Sequence, residues 1–228
     1  MTVPWIIAHR GGLRAGLAEN SLAAFASAHT AGADMIELDV RRSGDGRLAV
    51  VHGATASGLA VRRTALAALR SATGLELPEL SAVADFAAGR IGLDVELKEP
   101  GYEDEVVAAL APARAGGQPL VVTSFFARAL SRVRACEPDI ETGLLVRGVA
   151  GRLPRRLWSC GARYLLPPAA ALRRGVLDAA ARAGVPAIPW TLNTPGELHR
   201  ALSHPSVAGV ITDLPELALR ARAGQVLD

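Results

Sequence analysis

The stretch Ile91-Gly92-Leu93-Asp94-Val95-Glu96-Leu97-Lys98 shows the alternation from which the fold of this chain is predicted. In an extended strand, successive side chains lie on opposite faces, so the apolar residues share one face and Asp94, Glu96 and Lys98 share the other. The chain holds 25 lysine and arginine residues, and Lys98 is its one lysine. This position therefore either requires a primary ammonium or belongs to a half-exposed strand in which the lysine has no role.

Similar short apolar runs recur along the chain and alternate with helical stretches rich in alanine, leucine and arginine. This alternation is typical of βα units around a parallel sheet. Eight such units in a chain near the usual length of about 250 residues favour a closed (β/α)₈ TIM barrel over an open doubly wound sheet. We predict one domain over residues 1–228. The predicted strands are Trp5 to Ala8, Met35 to Val40, Ile91 to Lys98, Leu120 to Ser124, Thr142 to Val146, Arg163 to Leu166, Ala187 to Leu192 and Gly209 to Thr212.

One stretch departs from the βα rhythm. After the second strand, Gly44-Asp45-Gly46 predicts a turn, and the chain from Arg47 to His52 is extended again. A short extra hairpin arm is therefore expected after strand 2, where a helix would otherwise follow.

Composition limits the classes of function. The net charge is +3, but the arginines are scattered, so we expect solvated faces and no nucleic-acid partner. No apolar run approaches the ~20 residues of a membrane span, and the start of the chain does not have the pattern of a signal peptide. Cys136 and Cys160 lie outside any metal-binding spacing and are expected to be thiols in a reducing compartment, which predicts a cytoplasmic protein without stable membrane insertion.

Polar side chains are dense where the predicted strands end, which is where the chemistry of such a barrel lies. Three carboxylates from two neighbouring strands would repel one another unless a cation lay among them, and oxygen ligands favour Mg²⁺ or Ca²⁺. Two histidines and two cations beside them indicate phosphate ester chemistry, in which one imidazole takes a proton and the other gives one. These strand-end residues are His9, Arg10, Glu19, Asn20, Glu37, Asp39, His52, Glu96, Lys98, Trp190, Asn193, Thr212 and Asp213.

Several of these residues also have a purely structural explanation. Glu37 or Asp39 alone would be an ordinary rim carboxylate, and Trp190 would be a core residue. Thr194 and Asp213 are explained as helix caps, because each precedes a helix and is followed by a glutamate three positions later. The other histidines are predicted to lie outside the site: His29, His199 and His204.

The order of these motifs resembles the glycerophosphodiester phosphodiesterase family, whose pattern is H-R-G, E-N-T, E-x-D, H-D, E-x-K, W-T-x-N and T-D-x-P. The resemblance runs from residue 5 to about residue 217. It implies a barrel whose Glu37, Asp39 and Glu96 bind one divalent cation, Mg²⁺ or Ca²⁺. It also implies a substrate hydroxyl that attacks the phosphate and gives a cyclic ester, which water then opens. The implied catalytic residues are His9 and His52, and the implied substrate contacts are Arg10, Lys98, Trp190 and Asn193.

The chain departs from this pattern at Gly53, where the family has an aspartate. We expect His52 to be less well oriented without that carboxylate, and Gly53→Asp to raise activity provided that the backbone there does not need a positive φ. The segment from Gly53 to Arg63 is also short, which predicts weak discrimination between head-group alcohols. The first hypothesis is thus a metal-dependent hydrolase of glycerophosphodiesters acting on a small-molecule phosphodiester. The alternatives are a lysophospholipase D-like head-group hydrolase, favoured by an apolar ring at the barrel mouth, and a non-catalytic phosphate- or metal-binding module.

Overall fold

Parallel strands curl around a common axis in the computed structural model, which describes residues 3–148, 157 and 159–225. Seven of the strands in these residues are hydrogen-bonded side by side in the order β10-β1-β2-β6-β7-β8-β9, and β3 is added to β2. The strands are β1 (Trp5–Ala8), β2 (Met35–Arg42), β3 (Leu48–Val50), β4 (Thr55–Ala56), β5 (Leu59–Ala60), β6 (Gly92–Leu97), β7 (Leu120–Ser124), β8 (Glu141–Leu145), β9 (Tyr164–Leu166) and β10 (Gly209–Thr212).

The segment 187–192 closes this sheet into a (β/α)₈ barrel. Ala187 forms parallel bridges both to Leu165 in β9 and to Val207 just before β10. The Trp190 N–H donates to the Pro167 carbonyl at 3.0 Å, on the β9 side of the barrel. The segment forms isolated bridges where a continuous strand was predicted, because Pro189 has no N–H to donate to a ladder. The predicted TIM barrel is confirmed.

Helices lie between the barrel strands and cover their outer faces. Leu93, Val95 and Leu97 of β6 are buried in one cluster with apolar residues of the surrounding helices, whereas Asp94 and Glu96 lie on the inner face and line a cavity. The helices are α1 (Leu22–Thr30), α2 (Leu66–Thr73), α3 (Leu80–Ala87), α4 (Glu103–Ala109), α5 (Ala111–Ala115), α6 (Ala127–Cys136), α7 (Ala169–Leu172), α8 (Val176–Arg182), α9 (Pro195–Leu202) and α10 (Pro215–Arg222). No helix in the described part of the chain is both long and apolar enough to cross a bilayer.

The capping predictions have different outcomes. Ser21 caps α1 by accepting from the Ala24 N–H, and Thr194 forms a capping box with Glu197 at the start of α9. The prediction that Asp213 caps α10 is wrong, because Leu214 occupies the N-cap position and the Asp213 carboxylate is bonded elsewhere. Pro215 follows at once, so one of the helix-end N–H groups that a cap would satisfy does not exist.

The predicted hairpin arm is present and lengthens β2. Val40 to Arg42 pair antiparallel with β3, so the strand continues two residues beyond its predicted end at Val40. The turn closes with the Gly46 N–H donating to the Ser43 carbonyl at 3.0 Å, and Gly46 has φ 80°, a conformation that glycine adopts without strain. The arm carries His52 above the carboxyl ends of β2 and β6, where it lines the same cavity as Glu37 and Glu96.

Candidate active site

The turn after β1 brings His9 and Arg10 to the rim of the barrel. Arg10 has φ 51°, an unusual conformation for a residue with a side chain, and this turns its backbone N–H toward Glu37, whose Oε2 accepts at 3.0 Å. Gly11 follows with φ 90°, and a Cβ there would lie 2.7 Å from the Ala24 Cβ of α1. The local sequence His9-Arg10-Gly11 thus folds into a turn that connects the first strand to a carboxylate of the second.

Three carboxylates converge at the end of β2 and β6. Glu37 and Asp39 alternate along β2 and therefore share a face, and Asp39 lies beside Glu96 in the parallel register. Each of the three offers a ligand oxygen, and these oxygens lie within 4.8 Å of one another. All three residues are buried, with between 1% and 8% of their surface exposed. The donor set is the one that a hard divalent ion prefers.

Asp39 is surrounded by donors. The Lys98 Nζ lies 3.0 Å from its Oδ1, and both the Arg10 Nε at 3.1 Å and the Asn20 Nδ2 at 2.9 Å lie beside its Oδ2. Burial opposes ionisation of this carboxyl, but Lys98 and Arg10 outweigh it and hold the pKa of Asp39 below its usual value. Lys98 also lies 2.8 Å from Glu96 Oε1, so its ammonium bridges two predicted ligands.

Glu37 and Asp94 are in the opposite situation. Burial and the neighbouring charges of Asp39, Asp94 and Glu96 raise the pKa of Glu37 well above its usual value. Burial likewise raises the pKa of Asp94 to about 7, although its Oδ1 accepts from Thr123 at 2.8 Å. Asp94 Oδ2 has no hydrogen-bond partner among the described residues. A cation among these carboxylates would relieve this repulsion, so the site fits a divalent ion.

His9 is held by a chain of hydrogen bonds that sequence reasoning missed. Its Nδ1 lies 2.6 Å from Asp213 Oδ1, and Asp213 Oδ2 accepts from the Asn193 amide at 2.6 Å. The Asn193 Oδ1 in turn accepts from the Asp213 N–H and the Thr212 hydroxyl. The bond from His9 and the bond from Asn193 lower the pKa of Asp213. The His9 Nε2 is left facing the carboxylates, 4.0 Å from Glu37 Oε2.

His52 faces the same cavity from the arm. Burial lowers the pKa of its imidazole, and the charges of Arg10 and Lys98 act in the same direction against that of Asp39. The neutral imidazole is therefore the main form near neutral pH, which is the form that accepts a proton.

The expectation that Gly53→Asp would raise activity conflicts with the geometry of the turn after His52. A Cβ at Gly53 would lie 2.5 Å from the Thr55 carbonyl oxygen, which is backbone and cannot move aside without moving the arm. The turn therefore excludes any side chain at this position.

Of the nine residues to which the resemblance assigns a role, all but two line one cavity of about 350 Å³. Asp39 lies buried beneath it, and Asn193 lies behind Asp213. Trp190 forms part of the wall, with its Nε1 donating to the Leu166 carbonyl at 2.9 Å and its ring edge-on to Phe125. Of the exposed large apolar side chains in the described residues, Phe126 alone lines the cavity. Arg41, Phe125 and Arg147 also line the cavity, and sequence reasoning gave them no role.

Comparisons with known proteins agree with this geometry. The model of the "Glycerophosphoryl diester phosphodiesterase family" matches residues 9–217. The glycerophosphodiester phosphodiesterase of Bacillus altitudinis is 29% identical over 241 residues, which cover 95% of this chain and 97% of the relative. That of Caldanaerobacter subterraneus subsp. tengcongensis is 27% identical over 232 residues, covering 92% and 94%. A phosphodiesterase of Oleispira antarctica, solved with the product sn-glycerol-3-phosphate, is 25% identical with a TM-score of 0.80 and covers 96% of each chain.

Proposed function

Because this chain belongs to the glycerophosphoryl diester phosphodiesterase family and is a phosphoric diester hydrolase, we propose that it hydrolyses glycerophosphodiesters to glycerol phosphate and an alcohol. The observation that carries the proposal is the convergence of a buried carboxylate cluster, Glu37, Asp39 and Glu96, with two histidines across one cavity. The product that is bound to the Oleispira antarctica phosphodiesterase supports the same substrate class.

Glu37, Asp39 and Glu96 would hold one divalent ion, Mg²⁺ or Ca²⁺. When bound, such an ion supplies positive charge that neutralises phosphoryl oxygens. Arg10 and Lys98 lie at the edge of the same cluster and would hold the rest of the phosphate charge. Lys98 is well placed for this role, because a compact ammonium between two carboxylates leaves room beside it that a planar guanidinium would fill.

The two imidazoles would move the proton in opposite directions. His52, kept neutral by burial, takes the proton of the glycerol hydroxyl next to the phosphate, and that oxygen forms a bond to phosphorus. The bond from phosphorus to the head-group oxygen breaks, and His9 gives this oxygen a proton from its Nε2. Asp213 on Nδ1 stabilises the charged imidazole before the transfer. Water then opens the cyclic phosphate with the two roles exchanged.

The experiment is a head-group panel with purified protein and Mg²⁺ or Ca²⁺. Glycerophosphocholine, glycerophosphoethanolamine and glycerophosphoglycerol should release glycerol phosphate, and a chelator should abolish the release. Their kcat/KM values should lie within about 10²-fold of one another, since each apolar contact that the short arm lacks is worth only ~1–3 kcal/mol. His52→Ala should lower turnover by about 10² or more while metal binding persists. Failure of the wild-type protein on every substrate, with the metal bound, would refute the proposal and favour a binding module.

A further inference from the structure

We propose that Arg41 is the positioning residue for His52 and does for this chain what a carboxylate next to that histidine would otherwise do. The inference rests on the proposed function, because it assigns a residue to the acid/base step. It concerns how the arm that carries His52 is fixed relative to β2.

The residues next to His52 in sequence do not orient its imidazole. In the described part of the chain, no hydrogen bond is formed by the His52 imidazole, in contrast to the bond that Asp213 provides for His9. The next residue cannot supply one, since a Cβ at Gly53 would collide with the Thr55 carbonyl. Whatever orients His52 must therefore reach it from another element.

Arg41 reaches it from β2. Glu37, Asp39 and Arg41 alternate along this strand, so the guanidinium lies on the face that carries the predicted ligands and lines the same cavity. Its Nε donates to the His52 carbonyl oxygen at 2.9 Å, and the side chain is only 11% exposed. The contact thus fixes the backbone of His52 at the position where its side chain leaves for the cavity.

A second contact holds the guanidinium itself in place. The Arg41 Nη1 donates to Glu99 Oε1. Glu99 is anchored in turn, because its N–H donates to the Tyr102 hydroxyl at 3.3 Å, and that hydroxyl donates to the Val40 carbonyl at 2.8 Å. One planar group thus spans a carbonyl and a carboxylate, which the single nitrogen of a lysine would not reproduce.

The expected consequence is a loss of rate without a loss of binding. A displacement of about 1 Å at a proton-transferring group can cost about 10²-fold in rate. We expect Arg41→Ala to lower kcat by about 10- to 100-fold with KM changed by less than about 3-fold. Arg41→Lys should recover little of this loss, and added guanidinium should restore part of the activity of Arg41→Ala.

The decisive test is a double-mutant cycle with His52. The substrate is sn-glycerol 3-(4-nitrophenyl phosphate), which keeps the attacking hydroxyl but has a leaving group that needs no proton. In a His52→Ala background, Arg41→Ala should lower kcat further by less than about 2-fold, because a residue that acts through His52 has nothing left to position. The matched control is Arg42→Ala, since the neighbouring arginine is 47% exposed and lies beside Glu105, away from the cavity lining.

Other outcomes would overturn the proposal. Independent losses in the cycle, a rise in KM as the main effect, or an equal loss in Arg42→Ala would each show that Arg41 does not act through His52. Amide hydrogen exchange over residues 51–54 gives a readout that needs no activity. Exchange there should be at least about 10-fold faster in Arg41→Ala than in wild type. If the wild type is inactive but exchange is faster in Arg41→Ala, the proposed function is refuted and the contact between Arg41 and the His52 backbone still stands. Unchanged exchange in Arg41→Ala would refute that contact.

Discussion

Asp213→Asn should slow the release of a poor leaving group, because it changes the group on which the proposed acid depends. Asp213 accepts two bonds, from His9 Nδ1 and from the Asn193 amide, both at 2.6 Å. An amide has one oxygen and one NH₂ group and cannot accept both. In one orientation its NH₂ group faces His9 and enforces the wrong tautomer. In the other orientation its NH₂ group faces the Asn193 NH₂ group, and two donors then oppose each other. Asn193 cannot rotate freely to avoid this, since its oxygen already holds the Asp213 N–H and the Thr212 hydroxyl.

The magnitude follows from the lost charge. Two unit charges about 4 Å apart attract by roughly 4 kcal/mol at an effective dielectric constant of 20 and by roughly 1 kcal/mol in water. The Asp213 side chain is 32% exposed, so solvent screening places the pair between these limits, at about 2 kcal/mol. Since about 1.4 kcal/mol is tenfold in rate, kcat should fall about 30-fold. The loss would approach about 10⁴ if the wrong tautomer dominates, as it does for the corresponding substitution in a serine protease.

The assay compares two substrates that differ only in the leaving group. With glycerophosphocholine the full loss is expected, whereas the first-turnover release of nitrophenolate from sn-glycerol 3-(4-nitrophenyl phosphate) should change by less than about 3-fold, because nitrophenolate leaves without a proton. The first turnover is measured because His9 acts again when water opens the cyclic phosphate. The chain offers a matched control in Asp178→Asn, since Asp178 lies 3.3 Å from His204 in a second pair outside the cavity lining. An equal loss on both substrates would show that Asp213 does not serve the acid, and no loss on either would show that His9 does not depend on Asp213.

Four further outcomes are expected. Glu96→Gln should weaken metal binding by at least about 10-fold in a calorimetric titration, and unchanged affinity would exclude Glu96 as a ligand. Metal affinity measured in the same way should increase as the pH is raised, because the raised pKa of Glu37 means that a proton must leave before the ion binds, and a pH-independent affinity would contradict this. Lys98→Arg should lower kcat/KM by about 10-fold or more, since the Lys98 ammonium fits between Asp39 and Glu96, and wild-type kinetics would show that the position requires no ammonium. Gly53→Asp should lower both the thermal midpoint and kcat, in contrast to the expectation from sequence, and a gain in activity would mean that the turn at Thr55 rearranges.

The fold could be predicted from sequence because each barrel strand is a local signal. Trp5–Ala8, Leu120–Ser124 and Gly209–Thr212 have the predicted bounds, since each is a short apolar run that ends at polar or turn-forming residues. The end of β2 was predicted two residues too early. Val40 to Arg42 remain extended because they pair with β3, and a local pattern does not show that pairing. Segment 187–192 was predicted as a continuous strand from its apolar residues. It forms isolated bridges instead, because Pro189 has no N–H to donate to the ladder.

The site could be predicted as far as it depends on strand periodicity. Alternation alone places Glu37 and Asp39 on one face, and parallel register then brings Glu96 beside them. The partners of the histidines were not predictable in this way. Asp213 lies 204 positions from His9, and its place before a helix, with Glu216 three positions later, suggested a helix cap. Arg41 was one arginine among many, and only the fold of the arm brings it to the His52 carbonyl.

The unequal surroundings of Glu37 and Asp39 explain why this strand carries both. Asp39 receives Lys98, Arg10 and Asn20, so its charge is balanced by the protein itself. Glu37 receives one backbone N–H, lies 4.0 Å from His9 Nε2 and faces three other carboxyls, so burial and repulsion outweigh the positive charge near it. Asp39 thus fixes the two cations that we propose to hold phosphate, whereas ionisation of Glu37 depends on the proposed ion. Asp39, whose pKa is lowered, can hold Lys98 and Arg10 in place before an ion binds, whereas the raised pKa values of Glu37 and Glu96 couple binding of the proposed ion to loss of protons.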